Sequence, residues 1–260
     1  MRYFILFLIT ITSFSPLAAP KAELWPYWNN SNELNTETIS YQAWQELLSK
    51  YLIIDGQNTL FQYEQVSKGD KTKLNQFLAS MSQIDPRKYS KAEQYAYWVN
   101  VYNAITVQLI LNNYPVKSIT KLGGFFSFGP WDEKVITISG KVLTLNDIEH
   151  RILRPIWTDP RTHYAVNCAS LGCPNLQATA FTASNSNGLL DQAARRFINS
   201  TKGVNEADAE IVLSSIYKWF ASDFGGKEGV EKHLLEYKPS IQFAGKDIEY
   251  NYDWNLNDAK

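Results

Sequence analysis

Apolar positions along this chain recur mainly at helical spacing, broken by short runs that read as strands. Ser40 to Tyr51 (SYQAWQELLSKY) sets Trp44, Leu47, Leu48 and Tyr51 on one face and predicts an amphipathic helix. Lys71 to Ser82 repeats the pattern with Leu74, Phe77, Leu78 and Met81, and stops before Asp85-Pro86. Between them, Leu52-Ile-Ile and Leu60-Phe-Gln-Tyr predict two short strands about an Asp55-Gly56 turn. The next segment, Gln94 to Leu111 (QYAYWVNVYNAITVQLIL), is apolar at nearly every angle. That predicts a buried central helix, opened by a capping box of Ser90 and Glu93. Asn100 and Asn103 share one face of this buried rod. An unpaired buried carboxamide costs about 1–3 kcal/mol, so each needs a polar partner: either a bracket to a neighbouring loop or the wall of an active site.

The second half of the chain is more broken. Pro115 to Trp131 is rich in Gly and Phe and reads as a cover packed over the protein. Lys134 to Ser139 and Lys141 to Leu145 form a predicted hairpin about Gly140. Asn146 is the predicted cap of the helix NDIEHRILRPI, with Glu149 at the capping-box position, His150 in the first turn and Pro155 as the stop. Tyr164-Ala-Val reads as a strand delivering Cys168 to a tight turn that also holds Cys173. Further helices are expected over Asn187 to Asn199, Ser214 to Phe220 and Gly229 to Leu235, with a strand over Glu210 to Leu213. The tail, Ile241 to Phe243 and Ile248 to Trp254, reads as extended and docked. Helices and strands do not alternate regularly. The expected class is therefore α+β: a helix-rich single domain with a buried central helix on a small antiparallel sheet.

Composition and charge narrow the partners. The 260 residues include eight Trp, fifteen Tyr and thirteen Phe, ample core material. Net charge is −1 with the signs interspersed, which argues against nucleic acid or an anionic membrane surface. Met1-Arg2, the apolar run Tyr3 to Leu17 and the small residues Ala18, Ala19 and Ala22 read as a secretory signal peptide over residues 1–22. Residues 23–260 are then one globular domain, periplasmic or secreted, with no membrane insertion after cleavage. The expected partner is a small-molecule or peptide-like substrate, and no cofactor motif is present.

Three readings compete for the two cysteines. Cys168 is a candidate nucleophile, with His150 as its base, Glu149, Asn100 or Asn103 as the group orienting the imidazole, and amides near Ala169-Ser170 as an oxyanion pocket. A Cys168–Cys173 disulfide is the competing reading, natural in an oxidising compartment. Zinc on His150, His163, Cys168 and Cys173 is disfavoured, because no tight ligand pair occurs. His163 reads as a strand-edge residue and His233 as a solvated position on a polar helix face.

The blocks YWVNVYNA (97–104), LNDIEHRILR (145–154), DPRTHYAVNCASLGCPNL (159–176), AARRFIN (193–199) and YDWNLND (252–258) resemble those of the domain-of-unknown-function 547 family, in the family's order. The likeness runs from about Ala92 to the C-terminus and implies an exported bacterial member. It also implies a fold like those of cysteine peptidases or transglutaminases, with a buried helix packed against a sheet. No single reaction follows from it.

Overall fold

The computed structural model describes residues 20–124 and 127–259. The predicted signal segment falls largely on residues 1–19, outside this range, as do Phe125 and Phe126 of the aromatic loop. Among the described residues no helix is long and apolar enough to cross a membrane.

The first hairpin forms as its turn signal dictates. Helix α1 (Gln42–Tyr51) leads directly into β1 (Leu52–Asp55), which pairs antiparallel with β2 (Asn58–Phe61). Gly56 takes a positive φ of 57° in the turn, a conformation that glycine adopts without steric penalty. Helix α2 (Lys68–Ser82) is capped by Ser67, whose hydroxyl accepts the Asp70 amide. The long central helix α3 (Lys91–Asn113) is buried along most of its length, from Glu93 to Val107 without a break. Ser90 caps it as expected, accepting the Glu93 amide. The Glu93 carboxylate does not return to the cap but accepts the Ile39 amide at 2.9 Å, pinning the segment before α1.

The second predicted hairpin is present as β3 (Ile136–Ile138) and β4 (Lys141–Leu143). The helix after it begins earlier than its polar residues suggest. Thr144 and Asp147 form the reciprocal cap: the Thr144 hydroxyl accepts the Asp147 amide at 3.0 Å, and Asp147 accepts the Thr144 amide at 3.0 Å. Asn146 makes no capping bond. Glu149 is thereby released from helix capping. The segment Asp147–Leu153 is a π-helix that runs on into α4 (Arg154–Trp157), so Pro155 does not end the helix. A proline inside a helix leaves carbonyls one turn back without partners. Here Glu23 and Trp25 donate their amides to the His150 and Arg151 carbonyls, at 2.9 and 3.0 Å. The chain's early segment is thus laid along the π-helix as a splint.

The remaining elements are α5 (Ser186–Ile198), β5 (Val204–Glu206), β6 (Glu210–Ser214), α6 (Ile216–Trp219), α7 (Gly226–Tyr237) and β7 (Asp247–Asn251). Strand β6 pairs antiparallel with β5 and parallel with β7. The α+β class holds: mixed helices with small sheets, in two hairpins and one three-stranded piece. Buried side chains gather in two clusters. The larger surrounds α3; the smaller joins Tyr164 to α5, β5, β6, α6 and α7.

Candidate functional site

Tyr164 to Val166 is not a strand. Residues Pro160–Tyr164 form a 3-10 helix, with Asp159 capping it through the Arg161 amide. Its apolar residues are buried by packing against neighbouring elements and not by pairing within a sheet, which is why a run of three apolar residues misleads as a strand signal. Two asparagines build the loop that follows. Asn103 donates to the Ala165 carbonyl at 2.9 Å and accepts the Asn167 amide at 2.8 Å. Asn167 donates to the Pro174 carbonyl at 2.8 Å and accepts the Ala169 amide at 2.9 Å. Ala169 is held at φ 57°, a left-handed conformation unusual for a residue with a side chain, immediately after Cys168. Lys202 closes the far side, donating to the carbonyls of Leu171 and Cys173 and to Asn175 Oδ1 at 2.7–3.2 Å. Burial brings the Lys202 ammonium down to about 8, against the charges of Cys173 and Cys168.

The tail completes the loop. Leu171 and Gly172 donate their amides to Asn255 and Asp253 carbonyls, both at 2.8 Å, and Asn257 donates to the Ala169 carbonyl at 3.1 Å. Any side chain at Gly172 would place its Cβ 2.6 Å from the Asp253 nitrogen. This docking brings the Tyr252 hydroxyl to 3.0 Å from Cys168 Sγ, while Ser170 Oγ lies 3.1 Å from the same sulfur. Both cysteines are free thiols, and the Cys168 amide donates to Cys173 Sγ at 3.0 Å. Burial opposes ionisation of Cys168. Hydrogen bonds from Cys173, Ser170 and Tyr252 outweigh it, and the thiol lies below its ordinary value despite the nearby charge of Glu149. Cys173 is pushed far up by burial and by Cys168 itself, so Cys168 is the member of the pair that ionises first. Burial and the two thiols likewise keep the Tyr252 hydroxyl protonated.

The histidines lie elsewhere. Arg154 binds Asp223 through two nitrogens at 2.6 and 2.9 Å, and its Nη1 donates to the Pro20 carbonyl and to His150 Nδ1, at 2.7 and 2.8 Å. Guanidinium nitrogens only donate, so His150 Nδ1 is an acceptor and the proton of the neutral ring sits on Nε2. Burial lowers the His150 pKa, and the charges of Arg154 and His163 add to this against Glu149 and Asp223. Among the described residues no hydrogen bond joins His150 to Cys168. His163 is no strand-edge residue: it is buried, bonded through Nε2 to Asp223 at 2.8 Å and stacked 4.2 Å from the Phe220 ring. His233 is not solvated either; it is buried and reaches the Tyr164 hydroxyl at 3.0 Å.

Glu149 is buried and accepts the Tyr102 hydroxyl at 2.9 Å. Asn100 brackets residue 181, donating to its carbonyl at 2.7 Å and accepting its amide at 3.1 Å. Neither asparagine orients an imidazole; each is a bracket to a loop, and only Asn103 holds the cysteine loop. The Ala169 amide is already bonded to Asn167, so it offers no open oxyanion donor. Among the described residues no group of three or more His, Cys, Asp or Glu is arranged to hold a metal ion.

This geometry can be set beside known proteins. Residues 86–198 match the model of the family described as protein of unknown function, DUF547. The matched segment, which is similar to that family, covers less than half of the 260 residues. It contains Asn100, Asn103, Glu149, His150, His163, Cys168 and Cys173, which are the residues the sequence blocks single out. It begins a little before Ala92 and ends at 198, so the YDWNLND block and with it Tyr252 lie beyond the match, as do Lys202 and Asp223. Comparison with curated proteins and with solved structures gave no significant match. Sequence reasoning missed Tyr252, Ser170, Asn167 and Lys202 as partners of the thiol loop. Asn167 had a local signal, a short amide directly before the cysteine. Tyr252 had none, since it arrives from a tail 84 positions downstream.

Proposed function

We propose that Cys168 is the nucleophile of a thiol-dependent hydrolase or acyltransferase acting on an ester or amide in the periplasm or outside the cell. The observation that carries this reading is the half-buried Cys168 sulfur, set beside a strained residue and contacted by the hydroxyls of Ser170 and Tyr252. A thiolate is formed by loss of the proton to water and kept by those donors, with no imidazole base at the sulfur. It adds to the acyl carbon, the carbonyl π pair moving to oxygen. Collapse expels the alcohol or amine, which takes its proton from the Tyr252 hydroxyl; water re-protonates Tyr252. A second water, or an acceptor hydroxyl or amine, then displaces the thiolate from the thioester. The net reaction is acyl transfer from one oxygen or nitrogen to another.

The test is selective chemistry at the two thiols. Iodoacetamide labelling followed by peptide mass spectrometry is expected to modify Cys168 well before Cys173, at a rate still substantial at mildly acidic pH. A p-nitrophenyl ester is expected to release a burst of one equivalent and leave an acyl group on Cys168. Labelling of Cys168 no faster than of the same residue in denaturant, with no trapped acyl group, sinks the reading. The closeness of the two cysteines, with the Cys168 amide 3.0 Å from Cys173 Sγ, favours a second reading, a non-catalytic binding module locked by a Cys168–Cys173 bridge, to which an oxidised and unreactive pair in the native exported protein would point.

A further inference from the structure

The two thiols are unequal, and the loop between them is clamped shut. Cys168 is half-buried, whereas Cys173 is only 4 % exposed and directs its thiol at the Val166 carbonyl, 3.8 Å away. A reagent from solution therefore meets Cys168 first. Cys173 Sγ lies 3.0 Å from the Cys168 amide and shares a hydrogen bond with the Cys168 thiol. The ends of the loop are stapled just outside the pair, since the Asn167 carboxamide donates to the Pro174 carbonyl at 2.8 Å. Inside it the Cys173 amide donates to the Ser170 carbonyl at 3.1 Å, and Lys202 grips the Leu171 and Cys173 carbonyls from the far side. Two cysteines bridge only where the backbone already brings their Cα atoms within about 7 Å. This loop holds its pair together as free thiols, so a bridge can close without unfolding any element.

Acyl transfer uses one thiol and gives Cys173 nothing to do. A buried thiol in contact with a nucleophilic sulfur has the placement of a resolving thiol, which captures its neighbour once that neighbour is oxidised. The surroundings of Cys168 mark the oxidant. The hydroxyls of Ser170 and Tyr252 stand 3.1 and 3.0 Å from its sulfur and can donate to an oxygen that arrives there. Oxygen accepts such bonds far better than the sulfur of a disulfide does. Half burial also favours a small reagent over a disulfide carried on a folded protein. The Lys202 ammonium acts on both sulfurs and favours negative charge on them, which suits attack by a thiolate.

We propose that Cys168 and Cys173 form a reversible hydroperoxide-responsive pair, in which Cys168 is oxidised to a sulfenic acid and Cys173 captures it as a disulfide. Resting on the reading of Cys168 as nucleophile, this gives that site an off state. The Cys168 thiolate attacks one hydroperoxide oxygen; the S–O bond forms as the O–O bond breaks, and the departing hydroxide or alkoxide takes a proton from water. The Cys173 sulfur then attacks the sulfenic sulfur. The S–S bond forms, and the hydroxyl lost from Cys168 leaves as water with the Cys173 proton. The sulfur pair gives up two electrons, and the hydroperoxide is reduced to water or an alcohol. An external dithiol reverses the bridge and becomes a disulfide itself. While bridged, Cys168 can neither take an acyl group nor be carried on to the irreversible sulfinic and sulfonic acids.

Hydrogen peroxide and mass spectrometry test this on the reduced mature protein. Peroxide is expected to remove two hydrogens from the parent and add no oxygen, with peptide mapping placing a Cys168–Cys173 bridge that dithiothreitol reopens. Cys173→Ser is expected to trap dimedone on Cys168 and, in excess peroxide, to accumulate roughly tenfold more sulfinic and sulfonic acid than the parent. Cys168→Ser is expected to leave Cys173 unoxidised. Circular dichroism checks the folding of both variants, and the parent result stands without them. An unmodified parent, or sulfinic acid on its Cys168 with no bridge, overturns the proposal. So does equal over-oxidation of a folded Cys173→Ser protein, oxidation of Cys173 in a folded Cys168→Ser protein, or bridging by oxidised glutathione but not by peroxide. A bridge that dithiothreitol opens only in denaturant also overturns it and points to a structural disulfide. The readout uses no acyl substrate. Reversible bridging with no acyl group ever trapped on Cys168 would leave the pair standing and remove the acyl-transfer nucleophile, and a trapped acyl group without bridging would do the reverse.

Discussion

Asn100 and Asn103 form a matched pair for asking what holds the thiol in place. Each is buried on α3, and each makes one donor and one acceptor bond to a loop backbone, at 2.7 and 3.1 Å for Asn100 and 2.9 and 2.8 Å for Asn103. Replacing either by Ala strands one backbone carbonyl and one amide. At about 1–3 kcal/mol for each stranded buried group, the loss is roughly 2–6 kcal/mol for both variants, less what water recovers by entering the gap. That is a large share of the roughly 5–15 kcal/mol that keeps a domain folded. Urea titration should therefore show similar drops in midpoint with little change in slope. The thiol should separate them. Asn103→Ala frees the loop that carries Cys168 and the left-handed Ala169, whereas Asn100→Ala frees a loop around residue 181. Iodoacetamide labelling of Cys168 in the folded variants should thus lose its enhancement at mildly acidic pH in Asn103→Ala and keep it in Asn100→Ala. Equal effects on the thiol, or a loss below about 1 kcal/mol for Asn103→Ala, would refute the bracket argument.

Other outcomes follow from the same contacts. Gly172→Ala forces the tail away from the cysteine loop because its Cβ meets the Asp253 backbone at 2.6 Å, so limited proteolysis should cut near residues 252–257 far faster than in the parent. Arg154→Ala leaves Asp223 with His163 and the Ser222 hydroxyl in a largely buried setting and should cost about 3–5 kcal/mol by urea unfolding. Burial works to raise the Asp223 pKa, but His163 and Arg154 hold it well below the usual carboxylate range. The stability this group contributes is full above the unfolded pKa of about 4 and lost as pH falls below it, so the acid limb of the stability profile should flatten in Arg154→Ala. Lys202, brought down to about 8, binds its proton less readily folded than unfolded. Its contribution makes stability rise with pH from about 8 to 10, and Lys202→Met should remove that rise while loosening the cysteine loop.

Much of the scaffold was legible because its signals are local. The Asp55-Gly56 turn, the Ser90 cap and the all-round apolar pattern of α3 are decided within a few residues, and each is realised. The errors arose where a residue's partner is distant. Glu149 looks like half of a capping box by spacing, but the true box is Thr144 with Asp147, and the carboxylate is free to meet Tyr102 on α3. His163 and His233 carry no local hint of burial; Asp223 and Tyr164 reach them from 60 and 69 positions away. The π-helix is equally hidden, since the segment that satisfies its carbonyls, Glu23 to Trp25, lies far upstream. For the site, the cysteine loop and the candidate asparagines were visible as residues, yet their roles were set by tertiary contacts that periodicity does not encode.

The docking of the tail has a consequence for the order of events in folding. The cysteine loop and residues 252–257 are separated by more than eighty positions, and β7 reaches its parallel partner only through a crossover, so this pairing closes late. Until it closes, Cys168 lacks Tyr252 and both thiols are open to whatever surrounds the chain. In an oxidising medium the pair then faces a race between loop capture by the tail and bridge formation. The redox state of the finished protein would thus record how quickly its tail arrived as well as the chemistry of its site.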